Sequence, residues 1–323
     1  MKFLIPYSRF LILLVLCALI SFLSPHFLQT SNLINILRQA AILNILGVGM
    51  TIVIITGGID LSNGAVLALS SCTAAILLKD VGLPMPVGII AALLIGSCCG
   101  LINGAMVSKV AIPPFVITYA MMFFTRGLAF LLLQGKIIYG FTPEFRFIGT
   151  GYISGVPMPI IISAVVTFIF IFIQKYTPFG SEIYAVGADE EASMLSGIRT
   201  KSVVIRVYIL SGILSALAGI VYMARLNASE PVIGEAFPLD AIAAVLIGGT
   251  PLSGGEGGVG GTVIGALVIT IIINAMNLLG ISSLLQTFVL GALIIIMISV
   301  QSHSHRLFSL PNIFSANRNG AAS

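Results

Sequence analysis

Residues 175–202, KYTPFGSEIYAVGADEEASMLSGIRTKS, are the longest stretch of this chain that a lipid bilayer would reject. Four of the chain's eleven acidic residues lie in it, Glu182, Asp189, Glu190 and Glu191, and Lys175, Arg199 and Lys201 flank them, so it has to sit in water. Its middle carries the start and stop signals of one short helix. Asp189 suits an N-cap, Glu190 and Glu191 sit where the helix dipole favours anions, and Gly197 suits the residue that ends the helix. Eight residues of helix span only about 12 Å. A capped helix of that size, tethered between two membrane spans, suits a peg that docks into a cytoplasmic partner. An ordinary polar loop with one helical turn fits the same residues.

Around this stretch nearly everything is oil. Hydrophobic residues make up 58% of 323 positions, charged residues 8%, and mean hydropathy is +1.13. Apolar runs near bilayer length, broken by short loops, indicate a polytopic helical membrane protein and exclude a soluble domain. The alternation of a membrane barrel is missing. Cys17, Cys72, Cys98 and Cys99 all fall inside apolar runs without metal-ligand spacing and read as small hydrophobes; no metal or cofactor is expected.

The expected spans are residues 10–24, 32–56, 64–78, 86–107, 115–133, 159–174, 203–224, 241–247, 262–279 and 283–300, about ten segments, with the third and eighth short for a full crossing. The lead, with Lys2 and Arg9, has the charged start of a signal peptide, but no small-x-small cleavage site follows, so residues 10–24 are taken as the first span. Residues 134–157 read as a polar, Gly-rich loop and 301–323 as a tail. With both termini inside, Lys2, Arg9, Lys109, Lys175, Arg199, Lys201, Arg206, Arg306 and Arg318 are cytoplasmic. Arg38, Lys79, Lys136, Arg146 and Arg225 are then outside, and the positive-inside rule favours this orientation. The fold class is therefore all-α: one transmembrane domain over 1–323, with 175–202 as a cytoplasmic loop.

Two Gly-rich stretches resemble each other. Pairing Gly57 with Gly248 and Gly58 with Gly249 aligns GGIDLSNG with GGTPLSGG, matching Ser62 to Ser253. Both follow an apolar run, and unwound backbone at membrane depth survives only where protein or a water-filled cavity satisfies it. Such breaks in two halves of a transporter point to its path; tight interhelical turns are the plainer reading. Asp60, beside Ser62 and Asn63, either caps the third segment or lines the path. Arg126 either snorkels to the interface or meets substrate. Asn274 and other uncharged polar groups inside spans suit a neutral polyhydroxyl solute or ordinary helix pairing. The small residues of 96–104 are a candidate surface for a second copy. No Gly-x4-Gly-Lys-Ser/Thr pattern occurs, so ATP has to be bound elsewhere, and the carboxylate relay of an ion-coupled carrier is missing. Both point to a permease driven by a separate cytoplasmic motor.

TGGIDLSNGA at 56–65, AVGADEEASMLSGI at 185–198 and LDAIAAVLIGGTPLSGGEGGVGGTVIGA at 239–266 resemble the permease subunits of ribose-type sugar ABC importers. The resemblance covers residues 27–300. It implies a homodimeric permease in the bacterial inner membrane, a cytoplasmic ATP-binding subunit with two nucleotide-binding halves, and an extracytoplasmic sugar-binding protein. It implies that 188–197 is the coupling helix, with Gly187, Asp189, Glu190, Ala192, Leu195 and Gly197 meeting the ATPase. Sugar would pass near Gly57, Gly58, Asp60, Ser62, Asn63, Gly248, Gly249, Ser253 and Asn274. Asp189 stands where the family commonly has Asn, Glu191 and Met194 replace residues that are often Ala and Arg, and Asn63 replaces an apolar residue. The expected function is a permease for a pentose or hexose that catalyses no reaction itself. The alternatives are a permease for another small polar solute, such as a sugar-like signal or a branched-chain amino acid, or an ion-coupled carrier.

Overall fold

The computed structural model describes residues 5–308, and the tail beyond Phe308 lies outside the described residues. Among the described residues, six helices are long and apolar enough to cross a membrane: α2 (Thr30–Ile55), α4 (Met85–Lys109), α5 (Pro114–Leu133), α7 (Met158–Tyr176), α10 (Thr200–Leu226) and α12 (Val259–Leu278). At 1.5 Å per residue, the shortest of them spans about 28 Å, close to a hydrocarbon core of roughly 30 Å. Four apolar pieces are shorter, Leu13–Leu23 in α1 (Ile5–Leu23), α3 (Asn63–Lys79), α11 (Phe237–Ile247) and Ser283–Ser299 in α13 (Ser283–Phe308).

α2 and α10 form the centre. From Ala40 to Ile55 α2 is buried without interruption, its two polar side chains there, Asn44 and Thr51, bonding to α7 and α12. α10 packs on α4 through small residues that bring the two backbones together. A Cβ on Gly100 would overlap the Tyr208 carbonyl oxygen, one on Gly96 the Gly212 carbonyl oxygen, and one on Gly104 would lie 2.7 Å from the Ile205 Cα. The small-residue surface of 96–104, expected to meet a second copy, is thus consumed inside the chain. α4, α5 and α7 turn apolar faces outward, with Leu94, Phe124 and Phe168 exposed.

Two connections differ from expectation. The segment 134–157 is folded: β1 (Ile138–Tyr139) pairs antiparallel with β4 (Ala228–Ser229), α6 (Pro143–Thr150) follows, and β2 (Tyr152–Ile153) pairs with β3 (Val156–Pro157). Gly149 seats α6 against the Arg225 backbone at the end of α10. Asn227, in the left-handed conformation at φ 56°, accepts a hydrogen bond from the Phe141 N–H at 2.8 Å. The segment 175–202 holds two helices, α8 (Pro178–Ala188) and α9 (Glu190–Leu195), where one was expected. Thr177 caps α8, its Oγ1 accepting from the Gly180 N–H at 3.2 Å, and Ile183 and Val186 bury one face of it. That i, i+3 apolar pair is what a reading of the stretch as wholly water-exposed overlooks.

Candidate coupling and translocation site

The root of the peg meets both Gly-rich stretches. α2 ends at Ile55 in a Schellman motif: Gly57 has φ 79° and donates to the Ile54 carbonyl, and Gly58 donates to that of Val53. α11 ends the same way, with Gly249 at φ 80° donating to Leu246 and Thr250 to Val245. Gly57 therefore corresponds to Gly249 in structure, one residue off the expected pairing with Gly248. Gly248 instead packs face to face with α12, where a Cβ would lie 2.6 Å from the Gly261 carbonyl carbon. The Ile55 carbonyl left free at the end of α2 accepts from the Gly255 N–H at 2.8 Å. Gly187 presses on the same carbonyl so closely that a Cβ there would overlap its oxygen and lie 2.7 Å from the Gly255 nitrogen. Three backbones thus touch with no side chain between them.

Side chains of α7 and α8 hold the 248–258 segment in place. Tyr184 Oη donates to the Gly257 carbonyl at 2.8 Å, and buried Gln174 accepts through Oε1 from the Val259 N–H at 3.1 Å. Burial pushes the Tyr184 phenol above its ordinary value, keeping it a neutral donor. Thr250 Oγ1 accepts from the Gly258 N–H at 3.1 Å.

α9 projects from this junction. Asp189 caps it, Oδ1 accepting from the Ala192 N–H at 2.9 Å. A third Schellman motif closes it, with Gly197 at φ 87° and the Ile198 N–H donating to Ser193. Met194 and Leu195 are 58% and 81% exposed, a large apolar display on a six-residue helix also carrying exposed Glu190 and Glu191. Glu190 also borders a cavity of about 520 Å³ with Thr56, Gly57, Gly58, Lys201 and Tyr208.

Asp60 sits apart from that cavity and is 2% exposed. Oδ1 accepts from the Ser62 N–H at 3.0 Å and from Ser62 Oγ at 2.6 Å, and Oδ2 accepts from Ser211 Oγ at 2.8 Å. Asn103 Nδ2 donates to Ser62 Oγ at 2.9 Å. The carboxylate thus fastens the turn before α3 to α10 and, through Ser62, to α4. Ser211, its partner from α10, carried no signal in the sequence; Asn103 is one of the uncharged polar groups expected inside spans, but nothing in the sequence points it at Ser62. Asn63 is buried, with neither amide atom bonded to a described residue. Arg126 Nη1 donates to the carbonyls of Pro231 and of Ile233, the latter at 2.7 Å, holding the segment before α11.

The remaining expected residues scatter. Ser253 is exposed on the 248–258 segment. Asn274 lies on α12 and exchanges hydrogen bonds with Asn32 at 2.8 and 3.1 Å, away from the Asp60 cluster. Thr51 and Thr262 share a hydrogen bond of 2.6 Å between α2 and α12.

The protein family described as "Branched-chain amino acid transport system / permease component" matches residues 32–298. The chain belongs to that family. This permease is 42% identical over 306 residues to the ribose import permease protein of Haemophilus influenzae, covering 94% of each chain. It is 44% identical over 292 residues to the ribose import permease protein of Bacillus subtilis, covering 90% of each. The D-allose transport system permease protein of Escherichia coli is 37% identical over 296 residues, covering 91% of this chain and 90% of its own. No solved structure matches. The three motifs of the sequence analysis thus lie inside a likeness to ribose-type permeases that runs almost end to end. The permease is an all-α, multi-pass membrane protein and a transport subunit.

Proposed function

We propose that this chain is the permease subunit of an ATP-driven importer that moves a ribose-type pentose or hexose across the bacterial inner membrane. The observation that carries the proposal is the junction at Ile55. There the root of the exposed, doubly capped α9 presses on the ends of both Gly-rich stretches. A load applied to α9 from the cytoplasm would pass through Gly187 into α2 and into the 248–258 segment without compressible side chains in between. That is what a subunit without a phosphate loop needs. ATP is bound and hydrolysed by a separate subunit with two nucleotide-binding halves, which Asp189, Glu190, Ala192 and Leu195 meet.

In this reading the whole chain is one transmembrane domain of about ten segments, both termini are cytoplasmic, and two copies pair in the lipid bilayer. The motifs ending α2 and α11 are breaks in the crossing. Gly57, Gly58, Gly248, Gly249 and Ser253 hinge them, Asp60 and Ser62 tie the first to α10, and Asn63 offers the path a free amide. Relatives named for ribose and D-allose favour a sugar over an amino acid. An extracytoplasmic sugar-binding protein delivers it.

The test is uptake of labelled D-ribose by proteoliposomes holding the chain, its ATP-binding subunit and its binding protein. ATP-dependent uptake, displaced by D-allose and indifferent to collapse of the proton gradient, is expected. Uptake of leucine instead, or sugar uptake by the chain alone along a proton gradient, would overturn the proposal.

A further inference from the structure

Resting on the sugar-permease reading, we infer that the buried carboxylate of Asp240, one turn into α11, is a binding site for sugar hydroxyls. Asp240 is 6% exposed, and no other described residue donates a hydrogen bond to its side chain. Its oxygens keep a little access to the space beside the residue and have no partner among the described residues, and a carboxylate so poorly hydrated is costly for a fold to keep. Asp60 shows how this chain treats a buried acid that serves structure, with three donors on its two oxygens. Asp240 has none of these.

What Asp240 faces is empty space. It borders a cavity of about 420 Å³ toward Tyr222, Arg225 and Gln286, and another of about 620 Å³ toward Tyr119, Met122 and Glu235. Ala236, Thr287 and Leu290 line both cavities with it, so the carboxylate stands where the two adjoin. The two oxygens of a carboxyl group lie in one plane, which matches a pair of neighbouring sugar hydroxyls. Leu239, Met122 and Ile294 supply apolar walls for the C–H faces of the ring. A few placed polar groups in a mostly apolar cleft are the usual make-up of a small-molecule site. Asp240 also lies in the first turn of α11, where the helix dipole favours the anion.

The placement gives the site a way to report. The segment before α11 is held by Arg126, and it touches the start of α3, where a Cβ on Gly64 would overlap the Gly234 carbonyl oxygen and lie 2.8 Å from Pro238 Cδ. The other end of α11 is the Schellman turn that leads into the segment touching Gly187. Seven residues, about 10 Å of helix, separate Asp240 from Ile247. A single helix therefore joins the Asp240 carboxylate to the turn that leads to the root of the peg.

The test uses the assembled transporter in proteoliposomes, comparing Asp240→Asn and Asp240→Leu with wild type for D-ribose moved per ATP hydrolysed. Asp240→Leu is expected to keep ATP hydrolysis stimulated by loaded binding protein while moving at least tenfold less ribose per ATP. Asp240→Asn, which still bonds hydroxyls, should stay within about threefold of wild type. Asp240→Leu at the wild-type ratio, or loss of hydrolysis and transport in parallel, overturns the site. Should Asp240→Leu fail to assemble, Thr287→Cys in a background lacking the native cysteines decides. D-ribose should slow its alkylation at least threefold, and alkylation indifferent to ribose overturns the site. A wild-type transporter that moves no monosaccharide overturns the sugar reading itself, an outcome distinct from failure of the Asp240 variants alone.

Discussion

Two glycines of the peg region do different work. At Gly187 the reason is contact: a Cβ would overlap the Ile55 carbonyl oxygen, and its other neighbours there are backbone that cannot rotate away. At Gly197 the reason is conformation: φ is 87°, and nothing lies within 4 Å of a built Cβ. Gly187→Ala is expected to cost about 1–3 kcal/mol by overpacking and to abolish stimulation of ATP hydrolysis by the loaded binding protein. Gly197→Ala should cost about 1–2 kcal/mol of left-handed strain and leave most of the stimulation. Thermal melting in detergent and ATPase assays on the same preparations separate the two. Asp60 is the other residue whose role is set by its partners. Asp60→Ala strips the acceptor from Ser62 and Ser211 and should destabilise by about 1–3 kcal/mol, lowering the melting temperature together with transport. Lost transport at an unchanged melting temperature would instead place Asp60 in the path. Why these roles were hard to read is plain at this scale. Asp60 announces itself as an acid beside a helix start, but Ser211 and Asn103 come from 151 and 43 residues away in the chain. Asp240 gives no such signal, because being buried without a partner is a property of the assembled helices alone.

At the scale of elements, α4 and α10 depend on Gly96, Gly100 and Gly104 for their close approach. Gly100→Leu should force the two helices apart and prevent the protein from accumulating as a folded species in the membrane, seen as loss of the monodisperse peak on extraction in mild detergent. Accumulation at the wild-type level would mean that the two helices do not pack as described. Small residues spaced four apart declare a close contact in sequence but not its partner, which is why 96–104 was assigned to a second copy. The long spans were legible from apolar length, and α9 from its cap and its closing glycine. α8 was not, because the stripe it buries is only Ile183 and Val186 with Gly180, too short to stand out next to the acids that follow it. The likeness of the two Gly-rich stretches was legible as well, but not its register. Glycine and serine matches fix no alignment to one residue, whereas the Schellman hydrogen bonds pair Gly57 with Gly249.

The whole molecule is organised from one point, where α2, α11 and the peg bring backbone to backbone. α2 and α10 give that point a frame, and in the proposed function α9 presents Leu195 and Glu190 from it to the cytoplasmic ATP-binding subunit. The proposed coupling requires that force or signal pass there. The most direct measurement is ATP hydrolysis stimulated by substrate-loaded binding protein, in proteoliposomes containing the chain and its ATP-binding subunit, for wild type against Glu190→Arg combined with Leu195→Asp. Loss of stimulation and of stable assembly, with the permease still inserted, is the result predicted. Unchanged coupling and assembly would contradict it and reduce residues 175–202 to a connecting loop.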